Sequence, residues 1–390
     1  MRLKLLLIPL VALAGVLGVS SYASASHVPE TRTIHVGGGD GGVAANDFFP
    51  DAIILNKGDT IHFSNTYAEP HTTTFVPDVP IPMAVPALLI PNPSGPGQVF
   101  NPLAVNPTNT SSAPANFDPH TYFNSGFMFK DASTDVTFNV IGDFKFICLF
   151  HAGMELNVSV VGTPVTIATQ DTLDKTGKAQ SDGFITAGKA LAAGITQTKV
   201  TDAGGTSTWN MQVGLTQGQA DVVQFLPAGP LKINTGDSVK WTSITDTPHT
   251  VTFGEPFNPI VTLGQYTTFS PAAALPSGGS TFSGGSANSG LMDKSGQVPG
   301  GSAYTLTFTK AGTYTYVCLL HADQGMAGTI VVSDNAPAPA VAPPAIKPPN
   351  TGTGGAAGTD GSWLAALLLL GATGLALVTA GARAAVKHEA

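Results

Sequence analysis

Two short words recur at matching places in this 390-residue chain: Cys148-Leu-Phe-His151-Ala-Gly-Met154 and Cys318-Leu-Leu-His321-Ala-Asp-Gln-Gly-Met326. They contain the only two cysteines, and a Pro-His pair stands upstream of each, at His71 and His249. One thiolate, two imidazoles and one thioether, supplied twice, are the donors of a mononuclear metal. Soft sulfur selects copper, and a His2Cys plane with a long axial Met is the donor set of one-electron copper sites. The metal ligands read from the sequence are therefore His71, Cys148, His151 and Met154 in one centre and His249, Cys318, His321 and Met326 in the other, with one copper each. No catalytic residue is assigned.

Each ligand has to be delivered by an element. Phe144-Lys-Phe-Ile-Cys148 and Tyr314-Thr-Tyr-Val-Cys318 alternate, which is the period of a strand. Phe144, Phe146 and Cys148 then share one face, as do Tyr314, Tyr316 and Cys318. Both thiols are expected to point inward at the end of an aromatic core face. Alternating runs at Asp59-Thr-Ile-His-Phe-Ser and Asp237-Ser-Val-Lys-Trp-Thr predict strands leading to the upstream histidines. Thr134–Val140, Tyr304–Phe308 and Glu155–Val160 alternate in the same way. Many short strands between Gly and Pro turns predict an all-β chain folded as β-sandwiches.

The two copies agree beyond the ligands. Phe49-Pro50 matches Leu226-Pro227, and Gly58-Asp59 matches Gly236-Asp237. From that Asp to the histidine is 12 positions in both copies. Asn124-Ser-Gly-Phe-Met128 matches Asn288-Ser-Gly-Leu-Met292. His35, His62 and His120 are read as structural, His62 being aligned with Trp241. Met83, Met128, Met211 and Met292 are read as core or loop fillers. Two cysteines in an exported chain also fit a disulfide, but bridging equivalent points of two copies would bring both ligand loops face to face.

These spacings resemble the cupredoxin (type 1 blue copper) family. Cys148-x2-His151-x2-Met154 is similar to an amicyanin loop, and Cys318-x2-His321-x4-Met326 to a plastocyanin or pseudoazurin loop. The resemblance covers roughly residues 30–162 and 199–333. It implies two tandem Greek-key β-sandwiches with copper at one end of each, and loop histidines, His151 and His321, that reach the surface as electron ports. Thr72 and Thr250 stand where relatives often have Asn tying the ligand loops together, and their hydroxyls are suited to the same task.

The predicted layout is a signal peptide over 1–25, a cupredoxin-like domain over 27–163, a linker over 164–198, a second domain over 199–334, a Pro/Gly-rich stalk over 335–362, a transmembrane helix over 363–380 and a cytoplasmic tail over 381–390. Arg2 and Lys4, the apolar run Leu5–Val19 and Ala23-Ser-Ala25 carry the signal reading. The uncharged span Trp363–Ala380, followed by Arg383 and Lys387, carries the membrane reading. Pro348-Pro-Asn-Thr-Gly352 resembles a sortase signal with Pro in place of Leu. The linker holds a short helix from Ser181, as N-cap, to Ala193, stopped by Gly194. The insertions Pro77–Pro119 and Gln265–Gly301 are long enough to be functional or disordered.

A net charge of -8 without a basic cluster excludes a nucleic-acid partner. The reading is thus an exported electron-transfer protein, anchored to the cell membrane or cell wall, exchanging electrons with other redox proteins. It is not an enzyme in its own right. A copper-binding surface module without redox turnover is the alternative. A copper oxidase or nitrite reductase would need His-x-His pairs and a His beside the cysteine. Ile147 and Val317 stand there, and no His-x-His occurs.

Overall fold

The computed structural model describes residues 27–78, 83–95, 98–264 and 266–334. The signal peptide, the stalk with its sortase-like word, the membrane span and the tail lie outside the described residues. Among the described residues no helix is long and apolar enough to cross a membrane.

The described chain is mostly β and contains the expected sandwich twice. In the first copy, Thr31–Asp40, Val43–Phe49, Thr60–Ser64 and Ser133–Thr137 form one layer. The facing layer orders Ala52–Asn56, Glu155–Val161, Gly142–Ile147, Thr74–Phe75 and Phe123–Asn124. The second copy repeats this with Ser207–Gln217, Ala220–Leu226, Ser238–Ser243 and Ala303–Phe308 against Leu231–Asn234, Ala327–Ser333, Gly312–Val317, Thr252–Phe253 and Ala287–Asn288.

The inner faces are filled as the alternation requires. Phe146 is fully buried and meets the rings of Phe63, Phe75, Phe117, Phe123 and Phe138 at centroid distances of 5.6–6.2 Å. Tyr316 takes its place in the second copy, 4.6 Å from Phe225, 5.3 Å from Trp241 and 5.1 Å from Phe253. Cys148 and Cys318 follow two residues later on the same faces. Phe146→Ala is expected to cost about 3–5 kcal/mol, because a large ring leaves a cavity that a sheet cannot collapse. Urea unfolding of wild type and variant measures it.

The strand register corrects one alignment. Counting from the Gly-Asp turn, Phe63 and not His62 is the equivalent of Trp241, and both rings are fully buried. His62 matches Lys240, faces outward and meets Asp135 at 2.6 Å. The turn aspartates are themselves structural. Asp59 accepts the N–H groups of Asn56 and Glu30 at 2.8 and 2.9 Å, and Asp237 those of Asn234 and Ser207 at 3.0 and 2.8 Å.

The two sandwiches are not merely strung in tandem. Val43–Phe49 pairs antiparallel with Ala220–Leu226, so their main layers run together as one 11-stranded sheet. Ala44 lies opposite Asp221. These positions are equivalents in the repeat, 177 apart like Phe49 and Leu226. Each strand therefore pairs with its own counterpart about a local two-fold, the geometry of an isologous interface. Asn46 N–H to the Gln219 carbonyl at 2.8 Å and Val223 N–H to the Gly42 carbonyl at 2.9 Å extend the seam.

The linker helix is longer than expected, Gln170–Ala193, capped by Thr169 and stopped at Gly194. Gly177 and Gly183 discourage a helix in sequence terms. Gly177 is needed because the helix lies on the sheet there: a Cβ would stand 2.7 Å from the Phe49 carbonyl carbon. Through Ala192 and its neighbour Ile195, the helix end covers Val43, Val222 and Leu226 at the seam.

The insertions are ordered where described. Each carries a one-turn helix opened by proline, Pro102–Val105 and Pro271–Ala274. The two meet each other: Thr268 Oγ1 donates to the Gln98 carbonyl at 3.0 Å, and the Phe100 and Phe269 rings are 5.1 Å apart. With Phe127, Leu149 and Phe150 they form an apolar cap over the first cysteine loop.

Candidate metal centres

In each copy three predicted ligands converge. Cys148 Sγ lies 3.9 Å from His71 Nδ1 and 3.7 Å from His151 Nδ1, and the two Nδ1 atoms are 3.1 Å apart. Cys318 Sγ lies 3.8 Å from His249 Nδ1 and 3.3 Å from His321 Nδ1, again with 3.1 Å between the nitrogens. Both cysteines are free and buried. The ligand loops do face each other across the seam, yet each sulfur is held by its own pair of imidazoles.

The backbone accounts for this convergence. Each cysteine ends a strand, and its loop folds back so that Cys148 N–H reaches the Met154 carbonyl at 3.1 Å and Cys318 N–H the Met326 carbonyl at 3.0 Å. Met154 and Met326 are thereby fully buried at the loop ends. The upstream histidines are clamped by the repeated Asn-Ser-Gly-x-Met word. Met128 N–H donates to the His71 carbonyl at 2.8 Å, and Met292 N–H to the His249 carbonyl at 2.8 Å. Met128 Sδ accepts the Thr73 hydroxyl at 3.5 Å, consistent with the filler reading.

Thr72 and Thr250 tie the loops as expected: their hydroxyls accept the Leu149 and Leu319 N–H groups, both at 2.9 Å. Behind them stand residues to which the sequence reading gave no role. Thr74 donates to Thr72 at 3.0 Å and Thr252 to Thr250 at 3.0 Å. Asn124 and Asn288 then anchor the one-turn helices through Leu103 and Ala272 carbonyls, both at 2.8 Å. Their recurrence in both copies was the available signal. Thr250→Val should leave the Leu319 N–H buried without its acceptor, a cost of about 1–3 kcal/mol. Thermal melting would register it, and the second centre would lose metal before the first.

The electrostatics favour a thiolate. Burial alone would raise the Cys148 thiol, but hydrogen bonds from His151 and His71 outweigh it and hold the thiol well below its ordinary range. Burial is likewise overcome at Cys318, first by the charge on His321 and then by the His249 contact. Thr72 and Phe150 N–H groups point at Cys148 Sγ, both at 3.4 Å, and Thr250 N–H at Cys318 Sγ at 3.3 Å. The loop imidazoles are raised in turn. Burial would lower His151, yet Cys148 and Glu69 push it up to about 10. Burial would lower His321 too, yet Cys318 and Glu69 push it up to about 9. Burial keeps His71 below its usual value.

The resemblance placed His151 and His321 at the surface. The structure corrects this for His321, whose side chain is 4% exposed, while that of His151 stays part-exposed at 11%. The seam covers them, and their Nε2 edges meet Glu69 of the first copy, a residue the sequence reading missed because a lone Glu carries no spacing signal.

A β-sandwich that gathers one buried thiolate and two imidazole Nδ1 atoms at one end defines a cupredoxin-type copper domain. Residues 211–333 match the family described as copper binding proteins, plastocyanin/azurin family; residues 31–161 repeat the strand plan of that segment. Solved structures that resemble the chain include the reduced state of an amicyanin mutant, 18% identical, covering 34% of this chain and 82% of that one at a TM-score of 0.21. A mutant plastocyanin of fern is 23% identical, covering 32% of this chain and 99% of that one at a TM-score of 0.21. No curated protein matches the chain significantly.

Proposed function

We propose that the chain is a one-electron carrier with two mononuclear copper centres, His71, Cys148, His151 and Met154 forming one and His249, Cys318, His321 and Met326 the other. The observation that carries this reading is the pair of buried, unbridged thiols, each within 3.3–3.9 Å of two imidazole nitrogens. Copper bound there would supply a Cu(I)/Cu(II) couple. The residues' own part is to hold the donors in fixed positions. The threonine–asparagine ties on both loops support such rigidity, and Met154 and Met326, buried at the loop ends, would supply the fourth donor.

The same reading makes the protein an electron carrier rather than an enzyme, since the two clusters of potential metal ligands among the described residues are both of the His2Cys kind. Its partners are other redox proteins. Its place is the extracellular face, held by the C-terminal apolar segment or by sortase attachment at Pro348–Gly352, with the N-terminal 25 residues acting as an export signal. A reversible one-electron titration of the copper-loaded protein tests the redox role. Copper uptake without reversible reduction would leave only the surface-module alternative, and consumption of oxygen or nitrite would point to an oxidase or reductase.

A further inference from the structure

The two centres are not independent in this fold. The local two-fold at Ala44 and Asp221 turns the ligand loops toward each other, and one carboxylate stands between them. Glu69 Oε1 lies 3.3 Å from His151 Nε2, and Glu69 Oε2 lies 3.7 Å from His321 Nε2. Its side chain is 5% exposed. Gln324 donates to Oε2 at 2.5 Å. Gln324 belongs to the two extra residues that make the second cysteine loop longer than the first, so that extra length has a use: it reaches across the seam to the first copy's carboxylate. Asn65 Nδ2 fixes the Glu69 backbone carbonyl at 2.7 Å.

The repeat makes the asymmetry plain. Glu69 sits two residues before His71; the residue two before His249 is Thr247, which turns to Asp221 at 2.6 Å instead. One negative charge therefore serves both loop imidazoles. Ligating histidines are oriented through their second nitrogen, and here a single carboxylate lies within reach of His151 Nε2 and at ion-pair distance from His321 Nε2.

We propose that Glu69 is a shared positioning residue that couples the two centres, fixing both loop imidazoles with Nδ1 toward the thiolate and setting the reduction potential of both. This deepens the proposed function and rests on it. A buried negative charge beside both rings favours the more positive oxidation state at each site. Removing it must raise both potentials together, which a group serving only its own domain would not do.

The test is Glu69→Gln in the full chain, which keeps size and an acceptor but deletes the charge. Each centre is read singly in a Cys318→Ser or Cys148→Ser background. We expect the reduced-to-oxidised ratio at a fixed potential to rise about tenfold at both centres, a shift of about 59 mV for one electron. Thr247→Ala should leave the first centre unmoved. A second measurement needs no variant: in the unmodified, metal-free chain, nitrogen-resolved NMR should show slowly exchanging Nε2–H protons on both His151 and His321. A potential shift at one centre only, or a protected Nε2–H on one ring only, would overturn the coupling while leaving two working copper sites. An unmodified chain that bound no copper would overturn the proposed function and the coupling with it.

Discussion

Substituting Cys148 or Cys318 by serine, one at a time, is expected to leave a folded chain that binds one copper instead of two and keeps about half of the visible absorption, because colour at such sites comes from the thiolate–copper bond. The fold should survive because the serine hydroxyl occupies the same buried position and accepts the same N–H groups. Those are Thr72 and Phe150 at Cys148, and Thr250 at Cys318. A structural disulfide would behave in the opposite way: either variant alone would destabilise both domains and release a partner thiol. Metal analysis and a spectrum of each variant separate these outcomes. Equal loss of colour in either single variant down to zero would mean that the sulfurs act as one unit.

The second large effect is expected at Gly37 and Gly214. Each is the single residue facing a two-residue bulge on the partner strand, Asn46-Asp47 or Val223-Gln224, where the register slips between Val36 and Gly38 and between Val213 and Leu215. Their φ angles are +80° and +72°, and a Cβ added there would stand 2.0 Å from His71 Nε2 and 2.3 Å from His249 Nε2. Only glycine lets the strand pass flat against the imidazole. Gly37→Ala must strain the backbone and push His71 from its place, so we expect a loss of about 2–4 kcal/mol together with copper at the first centre. Gly214→Ala should do the same to the second centre. Urea unfolding and metal content, measured together, check both. Full copper occupancy in Gly37→Ala would show that His71 does not depend on the bulge.

Much of this was legible in the residues. The Cys-x-x-His words, the upstream histidines and the alternation of Phe144, Phe146 and Cys148 report strand and loop geometry locally, because period two fixes which side chains share a face. What escaped was of another kind. The start of the linker helix was hidden because Gly177 reads as a breaker, and only its contact with Phe49 explains it. The alignment of His62 with Trp241 slipped by one position, which in a strand exchanges inside for outside. The words Val36-Gly37 and Val213-Gly214 recur openly, but that they cradle a ligand ring depends on a bulge that no local pattern announces. Glu69 was least visible of all. Its role arises from the pairing of Val43–Phe49 with Ala220–Leu226, an association of strands distant in sequence, and from a loop two residues longer than its counterpart.

On the proposed function, the same seam would alter how electrons reach the centres. An imidazole at the protein surface would meet a partner directly, whereas His151 and His321 are turned toward each other and toward Glu69.

Copper content measured together with the visible spectrum of the full chain tests the central claim most directly. The account predicts two coppers per chain, an intense thiolate-to-copper band, and no free thiol left to titrate once the metal is bound. A colourless chain after exposure to cupric ion, with Cys148 and Cys318 joined to each other, would contradict it.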